Sequence, residues 1–198
     1  MDLAAKRIGF AITGSFCTIE AVLPAMQEIR DEGAQLIPIF SYSVYEFDTR
    51  FFKARDLIER VYGICGRLPL HTITDTEPIG PKKLLDLLVV APCTGNTLAK
   101  LATGIVDTPV LMAVKAHLRN GGPVVLAPST NDGLSNSAKN IGMLSNMRNI
   151  YFVPYEQDSP NSKPHSLVAR MELITPCCKL ALDGRQMQPV LYKPGEML

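Results

Sequence analysis

Three short runs rich in hydroxyl, amide and glycine residues each follow an apolar stretch. Thr13-Gly14-Ser15 follows Arg7 to Ile12, Thr94-Gly95-Asn96-Thr97 follows the run from Leu87 into Ala91-Pro92-Cys93, and Ser129-Thr130-Asn131 follows Pro123 to Pro128. A helix that starts directly after a strand presents N–H groups without intrahelical acceptors and the positive end of its dipole. A glycine lets the backbone come close, and nearby hydroxyl and amide side chains add donors. That combination suits a phosphate. Thr13-Gly14-Ser15 is neither the GxGxxG fingerprint nor a Walker loop. Capping alone accounts for either motif taken singly. Two such starts opening on one crevice would form an anion cradle, with Thr13, Gly14, Ser15, Thr94, Gly95, Asn96 and Thr97 as its candidate residues.

Other runs supply side chains for the rest of a ligand. Asn131 could hold a substrate carboxylate or the edge of a flavin ring. Asp132 precedes Gly133 and reads as a turn residue before it reads as a general base. Ser41-Tyr42-Ser43-Val44-Tyr45-Glu46-Phe47 follows another apolar run and offers the Ser41 and Ser43 hydroxyls together with aromatic faces, for a ring wall or for packing. Lys115 lies two residues past Val110 to Ala113 and is placed either to meet an acidic substrate or to face solvent. Lys82 and Lys83 read as a solvated face. The three histidines, His71, His117 and His165, have no metal-ligand spacing, so no metal is expected. No GxSxG or Ser/His/Asp order is present. No single residue stands out as catalytic.

The elements that must position these runs alternate between two periods. Arg7–Ile12, Gln35–Phe40, Leu87–Ala91, Val110–Ala113, Pro123–Ala127 and Asn149–Val153 read as strands. Continuous apolar runs, as opposed to alternating ones, suit strands covered on both faces. Ile19, Val22, Met26 and Ile29 recur at helical spacing up to Gly33, with Pro24 predicting a kink or a distorted start. Phe52–Val61, Asn96–Ala102 and Ser135–Ser145 read as further helices, and Leu167–Leu182 as one interrupted at Pro176. This β-α alternation predicts a flavodoxin-like, Rossmann-type α/β fold, a doubly wound parallel sheet with helices on both faces. One domain spans 1–198, with its core at about 6–190. The polar stretch Gln157 to Pro164 is expected to be a mobile loop or flap, and the tail 184–198 to pack poorly.

Composition narrows the partners. The 198 residues are 46% hydrophobic and 20% charged, which fits one globular domain. With 20 basic and 19 acidic residues the net charge is +1, which gives no electrostatic reason to expect nucleic acid or an anionic membrane. No run approaches the roughly 20 apolar residues of a membrane span, and the N-terminus lacks a signal-peptide layout because Lys6 and Arg7 stand directly before a strand. Five cysteines, odd in number and without a CxxC pair, favour reduced thiols in a cytosol. The vicinal pair Cys177-Cys178 is either a redox element or simple packing.

TGS after the first strand, the block APCTGNTLAKLATGIVDT and the turn APSTN together resemble the homo-oligomeric flavin-containing cysteine decarboxylase (flavoprotein) superfamily. The middle block, AP-x-[ST]-x-NT-x-x-K-x-[AT]-x-G-x-x-D, is long and specific. Within the superfamily, GFAITGSFCT, PIFSYSVYEFDTRF, APCTGNTLAKLATGIVDTPV and APSTNDGLSNSAKNIG are similar to the B-subunit family of two-subunit dipicolinate synthases, over roughly residues 6 to 190. The superfamily resemblance implies FMN, with Thr13, Gly14, Ser15, Thr94, Asn96 and Thr97 at its phosphate and ribityl chain, Ser41 and Ser43 near it, and Asn131 near the substrate, as well as a homo-oligomer, a trimer or a multiple of it. The narrower resemblance implies a part in oxidising dihydrodipicolinate to dipicolinate (pyridine-2,6-dicarboxylate) during sporulation. It also implies an A subunit that carries NADP, a small dicarboxylate substrate and the cytoplasm of a mother cell. The alternatives are a non-catalytic subunit that binds or stabilises the A subunit, and an FMN-dependent lyase or prenyl-transferring flavoprotein. Against the lyase, Pro78 stands where the cysteine decarboxylases carry their catalytic histidine.

Overall fold

In the computed structural model, which describes residues 1–193, five parallel strands form the centre. They are β1 (Arg7–Ile12), β2 (Gln35–Phe40), β3 (Leu87–Cys93), β4 (Val124–Thr130) and β5 (Ile150–Phe152). Their order across the sheet is β2-β1-β3-β4-β5, the flavodoxin-like arrangement. A hairpin of β6 (Tyr155–Gln157) and β7 (Leu167–Ala169) joins antiparallel to the last residues of β4, pairing Ser129 with Val168 and Thr130 with Leu167. This makes a mixed sheet of seven strands. Every residue of β3 is buried, as its uninterrupted apolar run requires of a strand covered on both faces.

The helices are α1 (Ile19–Asp31), α2 (Tyr42–Glu46), α3 (Ala54–Cys65), α4 (Ile73–Thr76), α5 (Gly95–Thr103), α6 (Pro109–Leu118), α7 (Ala138–Ser145) and α8 (Ile174–Leu182). In α1 the predicted stripe Ile19, Val22, Met26 and Ile29 is fully buried. Pro24 sits inside α1, and the chain enters the helix through a 3-10 turn, Phe16–Thr18. Gly66 (φ +69°) and Gly104 (φ +74°) close α3 and α5 in the left-handed conformation that a β-carbon disfavours.

Two expectations need correction. Val110–Ala113 is not a strand but lies in α6, because Thr108 caps the helix by accepting the Leu111 N–H at 3.3 Å and Pro109 occupies the first turn. Its apolar run is long because α6 buries Val110, Leu111, Ala113 and Val114 together. Leu167–Leu182 is not one interrupted helix: its start is β7, and only Ile174 onward is helical, with Pro176 in the first turn, where no N–H donor is needed. The described part of the tail, 184–193, has no fully buried residue but is tied to the sheet by hydrogen bonds. Gln186 brackets Phe152, accepting its N–H and donating to its carbonyl, each at 2.7 Å, and Tyr155 bonds both Val190 and Tyr192 through the backbone. Residues 194–198 lie outside the described part.

At the amino ends of the strands, Arg7 and Asp86 form a pair at 2.8 Å that ties β1 to the approach to β3. The same guanidinium holds the Asp86 carboxyl below its usual range. Behind the sheet, buried His117 of α6 places Nε2 3.1 Å from the Pro123 carbonyl, and burial lowers its pKa. No helix among the described residues is long and apolar enough to cross a membrane. None of their His, Cys, Asp and Glu side chains form a group of three or more that could hold a metal.

Candidate functional site

The loops after β1, β3 and β4 meet where the strand order reverses, and there they bound a cleft of about 1030 Å³. Doubly wound sheets bind ligands at this position because neighbouring crossovers depart to opposite faces and leave a crevice. Gly14 and Ser15 border the cleft from β1, Thr94, Gly95 and Asn96 from β3, and Ser129, Thr130, Asn131 and Asp132 from β4. The two predicted helix starts therefore share one hollow.

The β1 and β3 loops are held together by a buried hydroxyl. Thr13 Oγ1 donates to the Pro92 carbonyl at 2.6 Å and accepts the Thr94 N–H at 3.0 Å. Thr13 is 1% exposed and does not border the cleft, so it fixes the cradle's walls and is not one of its donors. Thr94 caps α5 by accepting the Thr97 N–H at 3.3 Å. Thr97 is buried, with its hydroxyl 3.0 Å from that of Thr94. The Gly95 and Asn96 amides are then the remaining first-turn donors for which the helix has no acceptor. The Asn96 side chain is exposed beside them.

Across the cleft, three hydroxyls form a closed ring. Ser15 Oγ lies 2.8 Å from Ser129 Oγ and 3.1 Å from Thr18 Oγ1, and the last two are 2.9 Å apart. Each hydroxyl has lone pairs to accept and one proton to turn toward an anion. Sequence reasoning found Ser15, named Ser129 within a candidate run without giving it a role, and missed Thr18. Ser129 is the alternate residue of a strand, and its direction becomes clear only once β4 is known to run on to Thr130.

Gly95 permits the close contact between α5 and the β4 loop. A β-carbon there would fall 2.5 Å from Thr130 Oγ1 and 2.9 Å from both Asp132 Oδ1 and Ser137 Oγ. Asp132 accepts from Thr130, and its carbonyl receives the Ser135 and Ser137 N–H groups, which is the turn role read for it. Gly14 plays a similar part toward α2, since its β-carbon would fall 2.9 Å from Ser43 Oγ. Ser41 and Ser43 bond each other at 3.2 Å beside Gly14, but neither borders the cleft. Tyr45 is stacked on His71 at 3.6 Å, so the ring surfaces of the cleft come instead from Phe16 and Phe51.

Lys115 is not in the site. It stands exposed in the last turn of α6, and the strand end that would have brought it to the cleft does not exist. The cations that do border the cleft are Arg50, before α3, and Lys163, in the β6–β7 loop. Arg50 lies 4.8 Å above the Phe51 ring, and Lys163 pairs with Asp158 at 2.6 Å. Their loops carried no local signal beyond polarity, and only the topology brings both to one place. Lys163 belongs to the stretch read as a flap.

The donor set and the size fit a phosphate-bearing flavin mononucleotide. Amides, hydroxyls and an asparagine are the chemistry a phosphate and polyol chain require, and ligand pockets of roughly 300–1,000 Å³ hold molecules of that class. Pro78 lies in a 3-10 turn, Glu77–Ile79, away from the cleft, and His71, His117 and His165 do not border it either.

Known proteins share this fold. Residues 1–174 match the family described as Flavoprotein. The B subunit of dipicolinate synthase from Bacillus subtilis is 44% identical over 192 residues, covering 97% of this chain and 96% of that one. The crystal structure of the B subunit of dipicolinate synthase from Bacillus halodurans superposes with a TM-score of 0.89 at 44% identity, covering 97% and 98% of the two chains. The FMN-dependent cysteine decarboxylase SpaF shares the fold at a TM-score of 0.66 and 22% identity, over 90% and 98%.

Proposed function

The chain belongs to the flavoprotein family and, within it, to the group of dipicolinate synthase B subunits, and from that premise we propose that its cleft serves the oxidation of dihydrodipicolinate to dipicolinate. The observation that carries this reading is the full-length likeness at 44% identity combined with a cleft lined by anion donors at the switch point. Loss of two hydrogens aromatises the ring, so the chemistry is downhill and the protein's task is orientation. The amides at the start of α5 and the Ser15–Thr18–Ser129 ring would hold a phosphate, such as that of a flavin, beside the substrate. Phe16 and Phe51 give the ring an apolar surface, and Asn131 donates to it from the β4 loop. FMN, if bound here, would supply a two-electron acceptor. The alternative acceptor is NADP on an A subunit, which the proposal places as the partner of this chain in a sporulating mother cell. The proposed assembly is a trimer or a multiple of it.

A second reading is favoured by one feature of the cleft. Among the described residues its carboxylates, Asp132 and Asp158, are both engaged by neighbours, and no histidine borders it. The chain would then bind and present the substrate while the A subunit does the chemistry. The lyase reading lacks a proton donor at Pro78. Co-expression with an A subunit, followed by measurement of dipicolinate with each subunit omitted in turn, tests the proposal. The visible spectrum of the purified chain separates the two readings: a flavin band near one per chain supports bound FMN, whereas a colourless chain that takes up none on incubation supports the presenting role. No dipicolinate from the intact pair would overturn both.

A further inference from the structure

Arg50 and Lys163 reach the cleft from opposite flanks of the sheet. Arg50 lies between α2 and α3, beside β2 at one edge, and Lys163 lies in the β6–β7 loop, which hangs from β4 on the other side. They are the lysine and arginine side chains that border the cleft among the described residues. Both are exposed, so holding them there gives the fold little stability. Arg50 has no carboxylate partner among the described residues, and its guanidinium lies over the Phe51 ring. A guanidinium seated on a ring keeps its N–H edge free for a planar anion. Lys163 is paired with Asp158, itself in the cleft wall, which also lies 3.5 Å from Ser166 Oγ.

We propose that Arg50 and Lys163 are the two cations that recognise a dicarboxylate in this cleft, one for each carboxylate, with Asp158 holding Lys163 until the second carboxylate displaces it. This rests on the proposed function and adds to it the residues that select a diacid over a monoacid. Arg50 provides a forked, permanently charged contact for one carboxylate. Lys163 provides a point charge on a flexible stem that can leave Asp158 for the other. Phe16 and Phe51 face the ring between them. The helix start at Gly95 and the hydroxyl ring also border the cleft and are left for a different anionic group.

Calorimetric titration of the chain, alone and together with its A subunit, compares pyridine-2,6-dicarboxylate with pyridine-2-carboxylate. The parent is expected to bind the diacid more tightly. Arg50→Met and Lys163→Met should each weaken the diacid by about tenfold, and in each variant the preference for diacid over monoacid should shrink toward none. Asp158→Asn should do the reverse and tighten the diacid several-fold, because it releases Lys163 and removes a repelling charge. All three positions are on exposed loops, and circular dichroism of each variant should match the parent. The proposal is overturned if the parent, with or without the A subunit, does not distinguish the two acids, or if the variants weaken both acids by the same factor. If the intact pair makes no dipicolinate while the parent selects the diacid and both methionine variants lose that preference, the proposed function fails and the recognition pair stands. If dipicolinate forms and Arg50→Met leaves the diacid preference intact, the recognition pair fails and the function stands.

Discussion

The hydroxyl of Thr13 accepts the Thr94 N–H at 3.0 Å, across 81 residues of sequence, and donates to the neighbouring Pro92 carbonyl at 2.6 Å. One buried side chain therefore sets the spacing between the two loops that share the cleft. Thr13→Val keeps the shape and removes both bonds, leaving an N–H and a carbonyl unpaired. Burying such groups costs roughly 1–3 kcal/mol each. Urea unfolding should show a loss of about 2–6 kcal/mol. Loss of ligand uptake should exceed what the remaining folded fraction explains, because the cradle widens. An unchanged midpoint would mean that Thr13 does not hold the loops together.

Gly95 tests the opposite wall. Gly95→Ala places a methyl 2.5 Å from Thr130 Oγ1, and Thr130 is held in place by its bond to Asp132, so the β4 loop must move. Overpacking of this kind costs about 1–3 kcal/mol. The variant should fold with a lowered melting temperature and bind FMN or phosphate at least about tenfold more weakly, since a small shift in a preorganised donor set removes most of its affinity. Asn96→Ala removes a donor without adding bulk. It should weaken binding while leaving stability within about 0.5 kcal/mol, as exposed positions do. Parent-like uptake of FMN and phosphate in both variants would place the cradle elsewhere.

The five central strands were legible in the sequence, and the contacts that cross between them were not. Leu87–Ala91 and Arg7–Ile12 read correctly because continuous apolar runs belong to strands covered on both faces. Val110–Ala113 has the same character and is helical, because the Thr108-Pro109 cap outweighs the apolar run. That single misreading carried Lys115 toward the site. Gly14, Ser15, Thr94, Gly95 and Asn96 were legible because a strand-to-helix turn is local. Ser129 and Thr18 were not, since their ring with Ser15 joins positions more than 100 residues apart. Arg50 and Lys163 sit in loops that any exposed polar segment resembles. The hairpin β6–β7 was missed because strands of three residues show no period.

His117 gives stability a dependence on pH. It is buried against the Pro123 carbonyl, and burial, the dominant cause, lowers its pKa in the fold; that carbonyl and the distant Asp86 charge oppose the shift in part. The unfolded chain thus takes up a proton at a pH where the folded chain does not. Stability contributed by neutral His117 is complete above the ordinary histidine value of about 6.5 and declines as pH falls below it. Denaturation midpoints should fall between about pH 7.5 and about pH 5.5. His117→Gln, which keeps a donor for the carbonyl, should flatten that decline. An equal slope in both proteins would assign the dependence to other groups.

The cysteines divide into one exposed thiol and four buried or partly buried ones. Cys17 is exposed on the 3-10 turn before α1 and borders the cleft, whereas Cys93, Cys177 and Cys178 are buried and Cys65 is partly so. Burial pushes the Cys65 and Cys177 thiols up to about 12 and raises Cys93 and Cys178 as well, so none of them is a thiolate at neutral pH. Cys177 turns its Sγ toward Met187 Sδ at 3.3 Å, which is packing in place of redox exchange. A thiol reagent at about pH 7.5 should therefore label one cysteine rapidly in the native chain, identified as Cys17 by peptide mapping, and all five in urea. A ligand seated in the cleft should slow the Cys17 reaction several-fold, because thiolate access governs the rate. Rapid native labelling of Cys177 or Cys178 would show that the α8 face opens, and would return that pair to consideration as a redox element.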